Sequence, residues 1–415
     1  MTNFNILRYL GIKVKDIATY NDIAEEDFIF CEIKLMANQR VCPNCSFSKT
    51  KIKDYKTKKS KFRIQRDNVL LELHVPRYFC PNCNKTYMHK TDEVINHSLP
   101  IETINSMILD FSEMITFENI ARKYSTSITN VINIFDEKCP NLRGEIGEAL
   151  CIDEFKNTNN EFTKYACILI NFKTHKIIDI LPSRRIEFLE EYFKKQPKNL
   201  LNKVKFIVTD MHDTYISIAK KFFAKATIII DAFHYMEYFS KAIQLIRIEM
   251  NNHIKEYYDM NWMNRNWKLL TEDYFVVDKI KRVDDFGVVR TAKDRIINFC
   301  KQYRNLEYAY FLYQDFLFIS KRTNPEDGHE LIKEFIEKMN DSGISQLQEV
   351  ASTWTHYYEY IGNSFIKYKG KRLTNGPIEG INSRVKTLKK INCGYRNMKR
   401  FFNRIILIVN KKRES

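Results

Sequence analysis

Three carboxylates stand where a carboxylate is costly or conspicuous. Asp153 lies in ALCIDEF, a run of strand formers in which Cys151, Asp153 and Phe155 fall on one face. An ionised group there is expensive to bury unless it is paired or coordinates a metal. Asp210 closes KFIVTD, and the C-terminal edge of a strand is a place from which side chains converge on a site. Glu379 opens the helix of NGPIEGINSRVKTLKK, whose solvent side is expected to carry Arg384, Lys386, Lys389 and Lys390. Three carboxylates without a nucleophile triad suit a pair of hard divalent cations, magnesium first. Such a pair can stabilise both the attacking and the leaving oxygen of a phosphodiester displacement. Plainer roles stand beside these. Asp210 suits a turn, Glu379 the helix dipole, and Glu154 rather than Asp153 could be the residue facing a metal.

A second set of ligands is more specific. CPNC occurs at Cys42 and Cys45 and again at Cys80 and Cys83. Four thiolates in two CxxC pairs satisfy a tetrahedral zinc ion. LELHVPRYF, just before the second pair, alternates as a strand of a zinc ribbon would. The long gap between the pairs predicts an extra projecting hairpin that carries Lys56, Lys58, Lys59, Lys61 and Arg63.

The elements that must position these groups follow from periodicity. Apolar residues at helical spacing predict helices around Ile104 to Phe111, Phe117 to Tyr124 and Ile128 to Phe135. The last two, with Ser-Thr-Ser between them, read as a helix-turn-helix, and ITNVINIFDEK as its recognition helix would expose Thr129, Asn130 and Asn133. Beyond Pro140 the order is βββαβαβ, with ATIIIDAF as the last strand, a mixed α/β sheet that begins with hairpins. From Met236 to Lys367 the chain reads as helical, an insertion ahead of the Glu379 helix.

With 415 residues the chain is too long for one ordinary core, and 44% hydrophobic with 28% charged residues is the composition of a folded protein. No apolar run is long enough to span a bilayer and no signal peptide is evident, so a cytoplasmic protein is expected. A formal charge of +16, concentrated in two blocks, points to a polyanion such as DNA.

The segments CIDEF, VTDMHDTY, IIIDAFHYMEYFSKAI and TNGPIEGINSRVKTLKKINCGYRNMKRFFNRIIL resemble the bacterial insertion-sequence transposases of the ISL-three type. The order of zinc ribbon and helix-turn-helix is also similar to that family's. The resemblance implies a DDE catalytic domain with an RNase H-like fold, and two magnesium ions held by Asp153, Asp210 and Glu379. It also implies a DxxH signature at Asp231 and His234, which would orient the site or contact the scissile phosphate. Met211 and His212 stand where the family more often has an aromatic residue.

The organisation that follows is a zinc ribbon over 1–97, a helix-turn-helix over 98–145, a catalytic sheet over 146–235, a helical insertion over 236–367 and a final catalytic segment over 368–415. The activity implied is binding of double-stranded DNA at terminal inverted repeats, hydrolytic strand cleavage, and transfer of the freed 3′ end to target DNA. It would involve at least two subunits, no membrane and no nucleotide cofactor. Arg396 joins the cations expected on DNA. A domesticated, catalytically inert DNA-binding regulator and a nuclease that cuts without joining are the rival readings.

Overall fold

A computed structural model describes residues 3–64, 67–90, 95–139, 141–156, 164–251, 257–283, 289–391 and 397–411. The chain divides into two units, Met1–Arg143 with Val385–Ser415, and Gly144–Arg384. The final segment expected over 368–415 is therefore shared between them.

In the first unit, strands β1 (Ile17–Ala24), β2 (Phe28–Leu35), β3 (Lys51–Ile64) and β4 (Asp67–Phe79) form a sheet of order β1-β2-β4-β3. A short β5 (Thr86–Met88) pairs with the end of β4, and β6 (Ile95–Asn96) pairs with β7 (Leu99–Pro100). Alternation decides which face is buried: Ile29, Cys31, Ile33 and Leu35 of β2 and Val69, Leu71, Leu73 and Val75 of β4 all point inward. Helices Asn3–Leu10, Ile101–Asp110, Phe117–Lys123 and Ile128–Lys138 supply Ile6, Met107, Ile120 and Phe135 to the same core, with Leu407 of helix Met398–Lys411. The lysine-bearing hairpin thus does not project alone. Phe62 and Ile64 are core residues, and β1 and β2, which the sequence reading did not assign, widen the hairpin into a sheet.

The two helices of the expected helix-turn-helix are capped by Thr116 and Ser127, each accepting the backbone N–H three residues on. Ser125 between them has φ +53°, so the turn closes without a glycine.

The second unit holds the sheet read from alternation. Strands β8 (Ala149–Lys156), β9 (Tyr165–Asn171) and β10 (Ile177–Leu181) are antiparallel neighbours. Strands β11 (Phe206–Thr209) and β12 (Thr227–Ile230) continue from β8 in parallel, giving the order β10-β9-β8-β11-β12. The last strand ends at Ile230, three residues earlier than ATIIIDAF suggested: Ala232 already opens a helix to Asn251.

Among its described residues the following segment has helices and two short strand pairs, β13 (Lys281–Val283) with β14 (Val289–Thr291) and β15 (Lys367–Tyr368) with β16 (Lys371–Arg372). Trp354 anchors it. The indole is fully buried against Tyr235, Phe239 and Phe316, and its Nε1–H donates to the Tyr235 carbonyl at 3.3 Å. Trp354→Ala leaves a ring-sized void and should cost about 3–5 kcal/mol, read as a fall in the melting temperature of the full chain. Among the described residues no helix is long and apolar enough to cross a membrane.

Candidate active site and cysteine centre

Parallel pairing brings the first two carboxylates together. Cys151 on β8 lies opposite Val208 on β11, so Asp153 and Asp210, each two residues further on, reach the same level at adjoining strand ends. His234 joins them from the first turn of the Ala232–Asn251 helix. Ligand atoms of Asp153, Asp210 and His234 all lie within 4.8 Å of one another. Burial pushes the Asp153 carboxyl up to about 7. The Glu154 N–H, donating to Asp153 Oδ1 at 2.6 Å, opposes that rise, and repulsion from Asp210 adds to it. Asp210 is raised for the same first reason, with His234 opposing. Burial leaves both carboxylates raised, and a divalent cation between them would favour their charged forms. Two carboxylates and an imidazole are oxygen and nitrogen donors suited to such an ion.

Asp231 follows β12 and is only 4% exposed. Burial raises its carboxyl, His234 opposes the rise and Glu379 adds to it. Glu379 itself is exposed in the first turn of helix Gly376–Ile391 and is not one of the three clustered residues. Its charge is felt at Asp231.

Glu154 faces elsewhere. Arg184 Nη1 donates to both of its carboxylate oxygens, at 2.6 and 2.7 Å, and the Tyr215 hydroxyl donates to Oε2 at 3.1 Å. Arg184 also stacks 4.4 Å from the Tyr165 ring centroid. This brace, which the sequence reading did not contain, occupies Glu154 and leaves Asp153 for the cluster. Its one sequence signal is the arginine pair after β10. Arg184→Ala strands a half-buried carboxylate beside Asp153 and should cost about 2 kcal/mol, measured by thermal melting, with Arg184→Lys recovering part of it.

In the first unit Cys42, Cys45, Cys80 and Cys83 converge, with Sγ atoms 3.7 Å apart for Cys42 and Cys83 and 3.5 Å for Cys45 and Cys80. A tetrahedron of zinc–sulfur bonds about 2.3 Å long has edges of about 3.8 Å, so the four sulfurs fit a zinc ion. Each knuckle closes the same way. Cys42 N–H donates to the Phe47 carbonyl and Cys80 N–H to Lys85, over left-handed residues Ser46 (φ +59°) and Asn84 (φ +54°). The Asn82 amide on the Cys45 sulfur, at 3.5 Å, is the first of the contacts that lower that thiol to about 6.

The cations expected on DNA are sorted by their surroundings. The pleat of β3 splits its run. Lys59, Lys61 and Arg63 are exposed on the face opposite Phe62, whereas Lys56 and Lys58 share the parity of Phe62, with Lys58 half-buried. Lys59 also pairs with Glu72 at 2.5 Å. On helix Gly376–Ile391, Lys386 and Lys390 are exposed. Arg384 and Lys389 are half-buried, the latter 5.6 Å from the Phe401 ring, so the four do not form one solvent face. Thr129 and Asn133 are exposed as expected. Asn130 is half-buried, because its amide donates to His97 O at 2.9 Å and Thr126 Oγ1 at 3.0 Å, holding the turn instead of facing outward. Arg396 lies outside the described residues.

A strand-end acid pair with a helix-borne histidine, on a mixed sheet, is a donor set that could hold a metal ion. The chain belongs to the DDE transposase family of the ISL-three type, whose model matches residues 150–405. It is also similar to the transposase for insertion sequence element IS1001 of Bordetella parapertussis, with 22% identity over 262 residues. That match covers 62% of this chain and 60% of the relative's length.

Proposed function

We propose that this protein is a DDE transposase that binds the terminal inverted repeats of an insertion sequence and catalyses metal-dependent strand cleavage and strand transfer. Residues 146–235 and the segment around Glu379 form its RNase H-like catalytic domain, interrupted by the helical insertion 236–367. The observation that carries the reading is the convergence of Asp153 and Asp210 at the ends of β8 and β11, in a sheet of three antiparallel strands extended by two parallel ones.

Asp153, Asp210 and Glu379 would hold the divalent metal, magnesium, which supplies activation of the attacking oxygen and neutralisation of charge on the phosphate. The protein's own groups hold that arrangement ready. The Glu154 N–H fixes one oxygen of Asp153, the Arg184 and Tyr215 brace keeps Glu154 out of the cluster, and His234 stands beside Asp210. His234 would orient the site or contact the scissile phosphate. Cys42, Cys45, Cys80 and Cys83 would hold zinc and fasten the loops that carry them. Subunits would pair when two ends are brought together.

Lys59, Lys61 and Arg63 contact the DNA backbone in this reading. Replacing all three with alanine should make the dependence of affinity on salt shallower by about 0.9 per lost phosphate contact, measured by end-fragment binding across a salt titration. The reading as a whole is tested by incubating the protein with magnesium and a plasmid carrying the gene's own flanking DNA, and mapping breaks to the nucleotide. Breaks at the element's ends, absent with Glu379→Gln, are expected. Tight end binding without breaks, under manganese as well, would instead identify a regulator. Cutting without joined products would identify a nuclease.

A further inference from the structure

Two segments far apart in the chain meet at the strand ends of the second unit. Thr374 and Asn375, immediately before the Glu379 helix, lie beside β8. The Cys151 thiol approaches the Thr374 carbonyl at 3.9 Å, and Asn375 Nδ2 donates to the Ile152 carbonyl at 3.4 Å. The backbone N–H of Asn375 donates to the Asp231 carboxylate, and the Asp231 N–H donates to the Thr209 carbonyl at 2.9 Å. The Asn375 carbonyl in turn accepts the Ile378 N–H at 2.7 Å, closing the first turn of the helix. Ile152 adjoins Asp153, and Thr209 adjoins Asp210. One residue thus links the first catalytic strand, Asp231 and the helix that bears Glu379.

The site needs such a link. Glu379 adds to the rise of the Asp231 carboxyl, so these two acids repel, and the start of the helix has to be held in place against that repulsion. Asn375 is 2% exposed, so water does not compete for its hydrogen bonds, and its Oδ1 has no hydrogen-bond partner among the described residues. A buried amide with an unsatisfied oxygen is costly for stability alone.

We propose that Asn375 and Asp231 form a clasp that holds the start of the Glu379 helix beside β8, making Asn375 a positioning residue for the metal-dependent chemistry. The proposal rests on the reading of Glu379 as the third metal carboxylate. The side chain of Asn375 anchors its backbone to β8, so truncating it frees the helix start without touching any metal ligand.

The test uses the full chain with manganese as the probe, its binding followed by electron paramagnetic resonance, alongside single-turnover cleavage of end DNA. Asn375→Ala is expected to weaken manganese binding about tenfold and slow cleavage about a hundredfold, with affinity for end DNA held within about twofold. In the Glu379→Gln background the same substitution should have no further effect, because both act through one group. Asn375→Ser serves if the alanine variant melts too low to assay, and the same pattern is expected of it. Additive losses in the double variant, or a lower melting temperature with unchanged manganese affinity, would overturn the clasp. The two readings fail differently. Wild-type manganese binding and cleavage by Glu379→Gln would remove the metal role of Glu379, and with it the clasp. An unimpaired Asn375→Ala beside an impaired Glu379→Gln would remove the clasp alone.

Discussion

Asp153→Asn should abolish metal-dependent strand cleavage, by at least about a thousandfold, while leaving the fold standing. The size follows from the several kcal/mol of charge stabilisation that a catalytic metal supplies, each 1.36 kcal/mol being tenfold in rate. The amide keeps the side chain's shape but loses the charge that would hold a divalent ion with Asp210. The fold should not suffer, because the native carboxyl is held up to about 7 by burial and by the neighbouring acids. The folded chain therefore binds a proton that the unfolded chain has released, and stability without metal falls as pH rises from the ordinary carboxylate range to about 7. Asparagine removes that loss. Metal-free melting across pH 4 to about 8 should show a shallower decline for the variant, and single-turnover cleavage by the same preparation should be missing. An active variant would take Asp153 out of the site.

Cys80→Ser, or removal of metal by a strong chelator, should undo the cysteine centre and the loops it gathers. Metal bound by four thiolates contributes on the order of 10 kcal/mol in small zinc domains. Cys42 and Cys45 lie in the connection between β2 and β3, while Cys80 and Cys83 lie in the turn between β4 and β5. The sulfurs join these loops more tightly than the few hydrogen bonds between them, such as Lys85 to Asn44 at 3.0 Å and Thr50 to Tyr87 at 2.8 Å. The sheet core around Phe62, Leu71 and Phe135 does not depend on the sulfurs and should persist. Hydrogen exchange is therefore expected to become fast in residues 39–50 and 80–89 and to stay slow in β2 and β4, with the zinc content falling to zero. Uniform loss of protection across the sheet would show that the metal organises the whole unit.

Much of this was legible in residue order. Cysteine spacing marks the centre, since a CxxC pair makes a knuckle wherever the chain is free to turn. The alternation of ALCIDEF, YACILINF and KIIDILP marks three strands, and apolar steps of three and four mark the capped helices after Pro100. These are local patterns set by the geometry of a strand or a helix turn. The three carboxylates stood out because a charge inside an apolar strand or on a basic helix has few structural uses.

Other assignments needed contacts between distant segments. Asp153 and Glu154 are adjacent, and both are acidic. What separates them is Arg184 and Tyr215, brought to one face of β8 by packing. Asn130 reads as an outward residue of a recognition helix until His97 and Thr126 take its amide. His234 reads as the end of a strand until Ala232 starts a helix.

By itself the sequence determined the three helices after Pro100, the first strands of the second sheet, the cysteine spacing and the candidate acids, because each depends on spacing within a few residues. The tertiary structure decided which strands neighbour one another, which of two adjacent acids is neutralised, and how Asn375 reaches Ile152 and Asp231. Those outcomes depend on register and on the pairing of buried polar groups. A chain can satisfy such groups only once its distant parts have met.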